Sequence, residues 1–303
     1  MKEVFEKHLF EIIDNKKVFV NEPMKNHTTF RIGGPADYFI VPTEVKEIEA
    51  VVRLCENESV PYYVIGNGSN LLVADMGFRG VIIQIFKSMN LIKIDGDVVT
   101  CQAGASLAQI AMAALEHELS GLEFAAGIPG TLGGAVRMNA GAYGGEMKDV
   151  LESATVLTRD GNILKLTKDE LEFNYRTSVI EKTGYIVLEA VLKLKAGKRE
   201  EIKAVMEELR GKRVSKQPLE FPSAGSTFKR PEGYFAGKLI QDAGLKGFQV
   251  GGAKVSEKHS GFVINAGDAT AADVVELMEQ VKHKVFEQFG VSLEPEVRRI
   301  GEF

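Results

Sequence analysis

Residues 121–144 read GLEFAAGIPGTLGGAVRMNAGAYG, and the rest of the chain is organised around them. Seven of these 24 positions are glycine (Gly121, Gly127, Gly130, Gly133, Gly134, Gly141 and Gly144), against 31 glycines in 303 residues overall. A glycine in an ordered segment costs about 0.5–1 kcal/mol relative to alanine, so a run this dense requires a reason. One reason is backbone that lies against another group with no Cβ between them; the other is backbone at positive φ. Alanines fill much of the remaining space, and Glu123 and Arg137 are the only charges. Such a segment suits a large flat ligand lying along the main chain, and it also suits tight packing of a helix on a sheet.

A second cluster separates these readings. Gly66 to Leu72 reads GNGSNLL and directly follows an expected strand, Tyr62 to Ile65. Glycines flanking an asparagine, then serine and asparagine, make a turn with free N–H groups, a nest suited to a diphosphate. It is not the dinucleotide fingerprint, because Leu71 stands at the third glycine position and strand rather than helix follows. No lysine is present to make a Walker loop. A phosphate cradle and a flat-ring platform in one domain together describe the site of a flavin nucleotide.

Length and composition agree with a soluble two-domain protein. Hydrophobic residues are 45% and charged residues 26%, with a net charge of −5 and a pI near 5.7, which argues against a nucleic-acid surface. Cys55 and Cys101 form no CxxC pair and read as buried free thiols in a reducing, cytoplasmic setting. The amphipathic start, MKEVFEKHLFEIIDNKK, is not a signal peptide, and no apolar run is long enough to span a membrane.

Along the chain, 27–42 reads as two short strands around Gly33-Gly34-Pro35, and Thr43 as the cap of a helix carrying Val45, Ile48, Val51, Val52 and Leu54. Strands are expected at 71–73, 81–85, 91–94 and 98–103, and a helix from Ser106 to His117. A hairpin turns at Asp160-Gly161, Thr167 to Glu170 has capping-box form, and Tyr185 to Leu194 is a strand. Lys195 to Lys198 reads as a linker before a charged helix, Arg199 to Val214. The last third predicts a helix at 236–243, a strand at 262–265, a helix over 271–289 opened by Thr270 and Asp273, and a final strand over 291–300. The expected domains are therefore 1–198, in two α+β subdomains of about 1–88 and 89–198, and 199–303, with the last strand free to return to the first domain.

Five stretches occurring in order, GNGSNLL (66–72), the segment 121–144, NYRTS (174–178), AGSTFKRP (224–231) and LEPEV (293–297), resemble the UDP-N-acetylenolpyruvoylglucosamine reductase family over essentially the whole chain. The absence of an inserted loop resembles its type II branch. The resemblance implies an α+β protein, with a vanillyl-alcohol-oxidase (PCMH) type FAD-binding domain followed by a smaller α+β substrate domain. It implies noncovalent FAD, NADPH as reductant, and UDP-N-acetylglucosamine enolpyruvate as substrate in peptidoglycan precursor synthesis. A hydride would pass from flavin N5 to C3 of the enolpyruvyl group and a proton to C2. No metal and no nucleic acid are implied, and a monomer is expected.

Hydride addition at C3 builds negative charge at C2 and the carboxylate, which calls for a cation or acid there and a proton donor at C2. By the resemblance Arg176 holds the carboxylate, Glu296 assists as an acid, and Ser226 delivers the proton. FAD would be held by Gly66, Asn67, Gly68, Ser69, Asn70, Leu71, Gly127, Ile128, Pro129, Gly130, Gly133, Gly134, Ala135, Asn139, Gly141 and Ala142. Tyr175, Arg213, Lys216 and Arg230 are the substrate candidates, and Arg230 stands where many family members carry asparagine. Taken singly, each has a plainer reading: Arg176 as a surface ion pair, Ser226 as a turn residue, Glu296 facing solvent from a strand. Likewise Arg210, Lys212, Arg213 and Lys216 read equally as the solvated last turn of a helix, which favours cations. Two other functions share the flavin domain. An FAD-dependent alcohol or sugar oxidase would commonly tether flavin through histidine or cysteine near 66–70, where neither is present. A nucleotide-binding regulatory module would have no use for Arg176, Ser226 and Glu296 together.

Overall fold

Hydrophobic periodicity sets most helices where the sequence places them. In the computed structural model, which describes residues 2–303, helices run over Lys2–Ile12 (α1), Val45–Asn57 (α2), Leu107–Glu116 (α3), Leu132–Arg137 (α4), Val179–Thr183 (α5), Arg199–Lys216 (α6), Ala236–Asp242 (α7) and Ala271–Phe289 (α8). Ser106 caps α3 and Thr270 caps α8, each in a reciprocal box with the residue three positions on. α2 begins one residue later than Thr43 suggests, because the Glu47 carboxylate accepts the N–H groups of both Thr43 and Glu44. The Thr167–Glu170 box forms as read, yet no helix follows it.

Two compact units emerge, and they cut the sequence differently from the expected boundary at residue 198. The first comprises the chain up to Val20, Tyr38–Asn67 and Gly80–Lys212; the second comprises Asn21–Asp37, Gly68–Arg79 and Arg213–Phe303. The chain therefore passes between units inside α6, and Lys195–Ala196, read as linker, is a short strand paired with Leu119–Ser120.

The first unit has one core, drawn from α1, α2, α3 and two sheets. Strands Val18–Pro23, Pro35–Ile40, Phe78–Gln84 and Tyr62–Ile65 form a four-stranded sheet in that order, the last pair parallel. An antiparallel five-stranded sheet follows: Ile163–Thr167, Leu151–Leu157, Ile186–Lys193, Val98–Gln102 and Ile92–Asp95. Of the two strands expected in 27–42 only Pro35–Ile40 exists; Met24 and Lys25 donate their N–H groups to Gly34 and Gly33, closing the preceding stretch into a loop.

Cys55 and Cys101 are fully buried in this core. Burial pushes both thiols up to about 12, aided by Glu56 and Glu58 around Cys55 and by Glu189 around Cys101. Both stay as unreactive thiols at pH 8. A thiol-alkylating reagent is accordingly expected to leave the native chain unmodified and to label two sites after unfolding; rapid labelling of native protein would contradict this packing.

The second unit has its own core around α7 and α8. Its sheet runs Ser223–Ser226, Phe262–Asn265, Ala253–Val255, Gln249–Val250, antiparallel throughout. The expected final strand shrinks to Arg298–Ile300, and ahead of it only Pro295 pairs, in an isolated antiparallel bridge with Phe228. That strand pairs in parallel with Leu71–Val73, so the end of the chain returns to the residues just after the GNGSN cluster.

Candidate active site

Within the first unit the two glycine-rich stretches meet. Asn67 Nδ2 donates to the Pro129 carbonyl at 2.7 Å, and a Cβ at Gly66 would sit 2.1 Å from Thr131 Oγ1. Gly133 is packed for the plainer reason, its Cα facing Ala103 so closely that a Cβ would lie 3.1 Å from the alanine methyl. A pocket is lined by Gly66, Thr131, Gly133, Gly134, Arg137 and neighbouring apolar side chains such as Val187. The N–H group of Asn67 finds no acceptor among the described residues, and neither do those of Gly68 and Ser69, the first residues of the second unit's segment; free donors of this kind are what a phosphate nest requires. These features fit FAD: bare backbone, free donors and an apolar floor. Gly127, Ile128, Pro129 and Gly130 form the turn into α4, where Ile128 and Gly130 close tight local hydrogen bonds. Ala135 is buried inside α4, and Gly141 and Ala142 form a short hairpin with Gly145 and Glu146.

Asn139 lies just past the end of α4. It is fully buried at φ 44°, its Nδ2 donates to Glu146 and to the Asn174 carbonyl, and its Oδ1 accepts from Lys148 N–H. Its side chain thereby braces the NYRTS turn. In that turn Arg176 has φ 55°, stacks 5.4 Å from the Tyr175 ring, and donates to the Gly141 carbonyl at 3.0 Å. Positive φ at a non-glycine residue is costly and concentrates at functional positions. Arg176 is thus fixed on the glycine-rich segment itself, and Tyr175 remains half exposed beside it at 47%.

In the second unit the fold unites residues far apart in sequence. Ser226 ends its strand exposed, next to Gly225 at φ 78°. Glu296 N–H donates to the Thr227 carbonyl at 2.8 Å, which brings the Glu296 backbone to the residue that follows Ser226. Asn70 Nδ2 donates to the Glu296 carbonyl, and the Asn70 carbonyl accepts from Arg298 N–H. The Asn70 side chain thus ties the GNGSN cluster to the Glu296 segment, while Leu71 is a buried strand residue. Glu296 does not sit on a strand, contrary to the expected alternation.

Arg213 and Lys216 lie in the last turn of α6, Arg213 bonded to Gln217 and Lys216 exposed. Arg230 lies 3.9 Å over the Phe235 ring and donates Nε–H to the Tyr234 carbonyl. The sequence reading missed His259. Its Nδ1 accepts from Gly261 N–H, which leaves the ring proton on Nε2. Burial above all, with a smaller push from the charge of Lys216, holds its pKa below the ordinary value against a local backbone hydrogen bond that raises it. Five histidines are too few to stand out by pattern; only the fold brings this one near Lys216. Among the described residues no helix is long and apolar enough to cross a membrane, and no cluster of His, Cys, Asp and Glu could hold a metal ion.

Residues 36–167 match the FAD binding domain model. The chain shares its fold with alkyldihydroxyacetonephosphate synthase over 64% of its length and 40% of that chain, at 19% identity and a TM-score of 0.50. Mixed helices and sheets, the glycine cradle and these matches define an α+β FAD-dependent oxidoreductase with the vanillyl-alcohol-oxidase type of flavin domain. Residues 217–300 match the UDP-N-acetylenolpyruvoylglucosamine reductase, C-terminal domain. The UDP-N-acetylenolpyruvoylglucosamine reductase of Lachnoclostridium phytofermentans is 54% identical over 306 residues, covering 100% of this chain and 99% of that protein. The crystal structure of UDP-N-acetylenolpyruvylglucosamine reductase from Thermus caldophilus aligns at a TM-score of 0.80 and 37% identity, covering 94% of this chain and 98% of that one. The chain belongs to the UDP-N-acetylenolpyruvoylglucosamine reductase family.

Proposed function

We propose that this chain reduces the enolpyruvyl group of UDP-N-acetylglucosamine enolpyruvate to give UDP-N-acetylmuramate for peptidoglycan synthesis, with NADPH as reductant. The observation that carries the reading is the union of Ser226 with Glu296 through the bond from Glu296 N–H to the Thr227 carbonyl. Seventy residues separate the two, and a binding module has no need of that pairing.

Gly66, Asn67, Gly68 and Ser69, with the turn 127–130 and Gly134, would hold FAD through backbone contacts. When bound there, FAD would supply the two-electron chemistry, a hydride acceptor for NADPH and a hydride donor for the methylene carbon of the substrate. The chain's own residues then manage charge and protons. Arg176, already immobilised on the Gly141 carbonyl, holds the substrate carboxylate where charge grows, so its side chain has little freedom left to lose. Glu296 in its protonated form assists at that carboxylate. Ser226, exposed at its strand end, passes a proton to C2. Arg213, Lys216 and the Nε2–H of His259 present cationic and neutral donors to the nucleotide diphosphate, with Arg230 on its Phe235 stack as a further contact. Tyr175 borders the carboxylate site through its stack on Arg176. The two buried thiols suit a reducing cytoplasm.

Steady-state turnover tests this directly. The FAD-loaded chain is expected to consume NADPH only when the enolpyruvyl nucleotide is present, with a product two hydrogens heavier by mass. NADPH consumption indifferent to that substrate, or none, would overturn the proposal.

A further inference from the structure

The cofactor cradle supplies N–H groups but almost no charge. Across 66–72 and 121–144 the only cation is Arg137, at the last position of α4. The pocket formed by Gly66, Thr131, Gly133 and Gly134 includes this arginine in its lining. Its backbone is fixed, since Ser178 Oγ donates to the Arg137 carbonyl at 2.7 Å. The guanidinium lies 5.4 Å from the centre of the Tyr63 ring and is only partly exposed. Among the described residues no carboxylate pairs with it. A half-buried guanidinium stacked on an aromatic face but without a counter-anion is an incomplete arrangement, since withdrawing charge from water is costly unless an anion answers it. FAD brings such an anion in its diphosphate.

We propose that Arg137 is a cofactor-binding residue, its guanidinium supplying the positive charge that the glycine cradle lacks to the ADP half of FAD. The inference rests on the flavin reading but not on the identity of the reduced substrate. Tyr63 serves as its positioning platform: a ring under the guanidinium fixes the plane of the donors before the cofactor arrives.

The test is equilibrium binding to the full chain freed of its flavin, with FAD and riboflavin followed by flavin fluorescence and ADP by titration calorimetry. Arg137→Met is expected to weaken FAD and ADP by about 10–100-fold, the scale of a hydrogen bond to a charged group. Riboflavin, which has no phosphate, should bind native chain and variant alike. Arg137→Lys should recover part of the loss, and native FAD affinity should fall as salt rises, since the contact is ionic. Native-like affinity of Arg137→Met for both FAD and ADP would overturn the assignment and leave the arginine a surface partner of Tyr63. If circular dichroism shows that variant unfolded, Arg137→Lys and the salt series decide: ADP affinity indifferent to salt in the native chain contradicts the proposal. A native chain that takes up no FAD would remove the flavin reading and this one with it, whereas failure only with the enolpyruvyl nucleotide would leave this one intact.

Discussion

Ser226→Ala is expected to reduce normally with NADPH and to be reoxidised by the enolpyruvyl nucleotide about 10²–10⁴-fold more slowly, the usual contribution of a positioned proton donor. The asymmetry follows from the order of events. Taking a hydride from NADPH needs no proton at C2 of the substrate, so the hydroxyl is idle in that step. The residue is also a clean one to change. Ser226 is exposed, Thr227 N–H donates to the Gly261 carbonyl, and Thr227 Oγ1 accepts from Val263 N–H, so the strand end is held by its neighbours. Removing one oxygen leaves this framework and the Glu296 pairing in place. Rapid-mixing absorbance of the two half-reactions gives the comparison, and equal slowing of both would remove Ser226 from the proton role.

The second large effect is on the cradle. Gly68→Ala must place a side chain at φ 61°, where its Cβ would meet the His27 carbonyl oxygen at 2.1 Å and Thr28 Cα at 3.0 Å. Left-handed backbone costs an L residue about 1–2 kcal/mol, and forcing atoms into a packed site costs about 1–3 kcal/mol more. Since the obstacle is backbone, no rotamer relieves it. A loss of about 2–5 kcal/mol, set against a total of roughly 5–15 kcal/mol, should lower the unfolding midpoint markedly and disorder the N–H nest that FAD requires. Gly290→Ala separates the two costs: Gly290 also has positive φ, 65°, but open space around it. Its expected loss is only about 1–2 kcal/mol, with FAD affinity unchanged. Chemical denaturation with flavin release measured in parallel checks both; equal losses would show that crowding at Gly68 is unimportant.

How much of this was legible beforehand depends on how local the signal is. Helices α2, α3 and α8 announce themselves through one apolar stripe, α3 and α8 also through their caps at Ser106 and Thr270, and both glycine clusters through composition. Short strands such as Gln249–Val250 and Lys195–Ala196 carry too few residues to show alternation and exist only because a partner strand is present. The expected strand 291–300 is realised only as an isolated bridge from Pro295 to Phe228 and as Arg298–Ile300, because each piece exists only where a partner segment meets it. The passage between units inside α6 could not be read at all, since nothing in the helix pattern changes between Lys212 and Arg213.

The site shows the same division. Arg176, Ser226 and Glu296 are findable from motif resemblance, but their supports are tertiary: the Gly141 carbonyl under Arg176, and the Asn70 amide on Glu296. Asn139 enters the cofactor set through the resemblance alone, and that its side chain also braces the NYRTS turn through three internal bonds is visible only in the fold. His259 has no motif around it that points to chemistry, and its fixed tautomer is visible only once Gly261 N–H is seen to bond its ring.

The central claim is a two-stage redox cycle through one flavin, and an anaerobic absorbance titration of the purified chain tests it most directly. One equivalent of NADPH is expected to bleach the flavin band, and one equivalent of UDP-N-acetylglucosamine enolpyruvate then to restore it with formation of UDP-N-acetylmuramate. A band that bleaches but is not restored by the nucleotide would contradict the proposed substrate, and a chain that binds no FAD would contradict the reading from Gly66 onward.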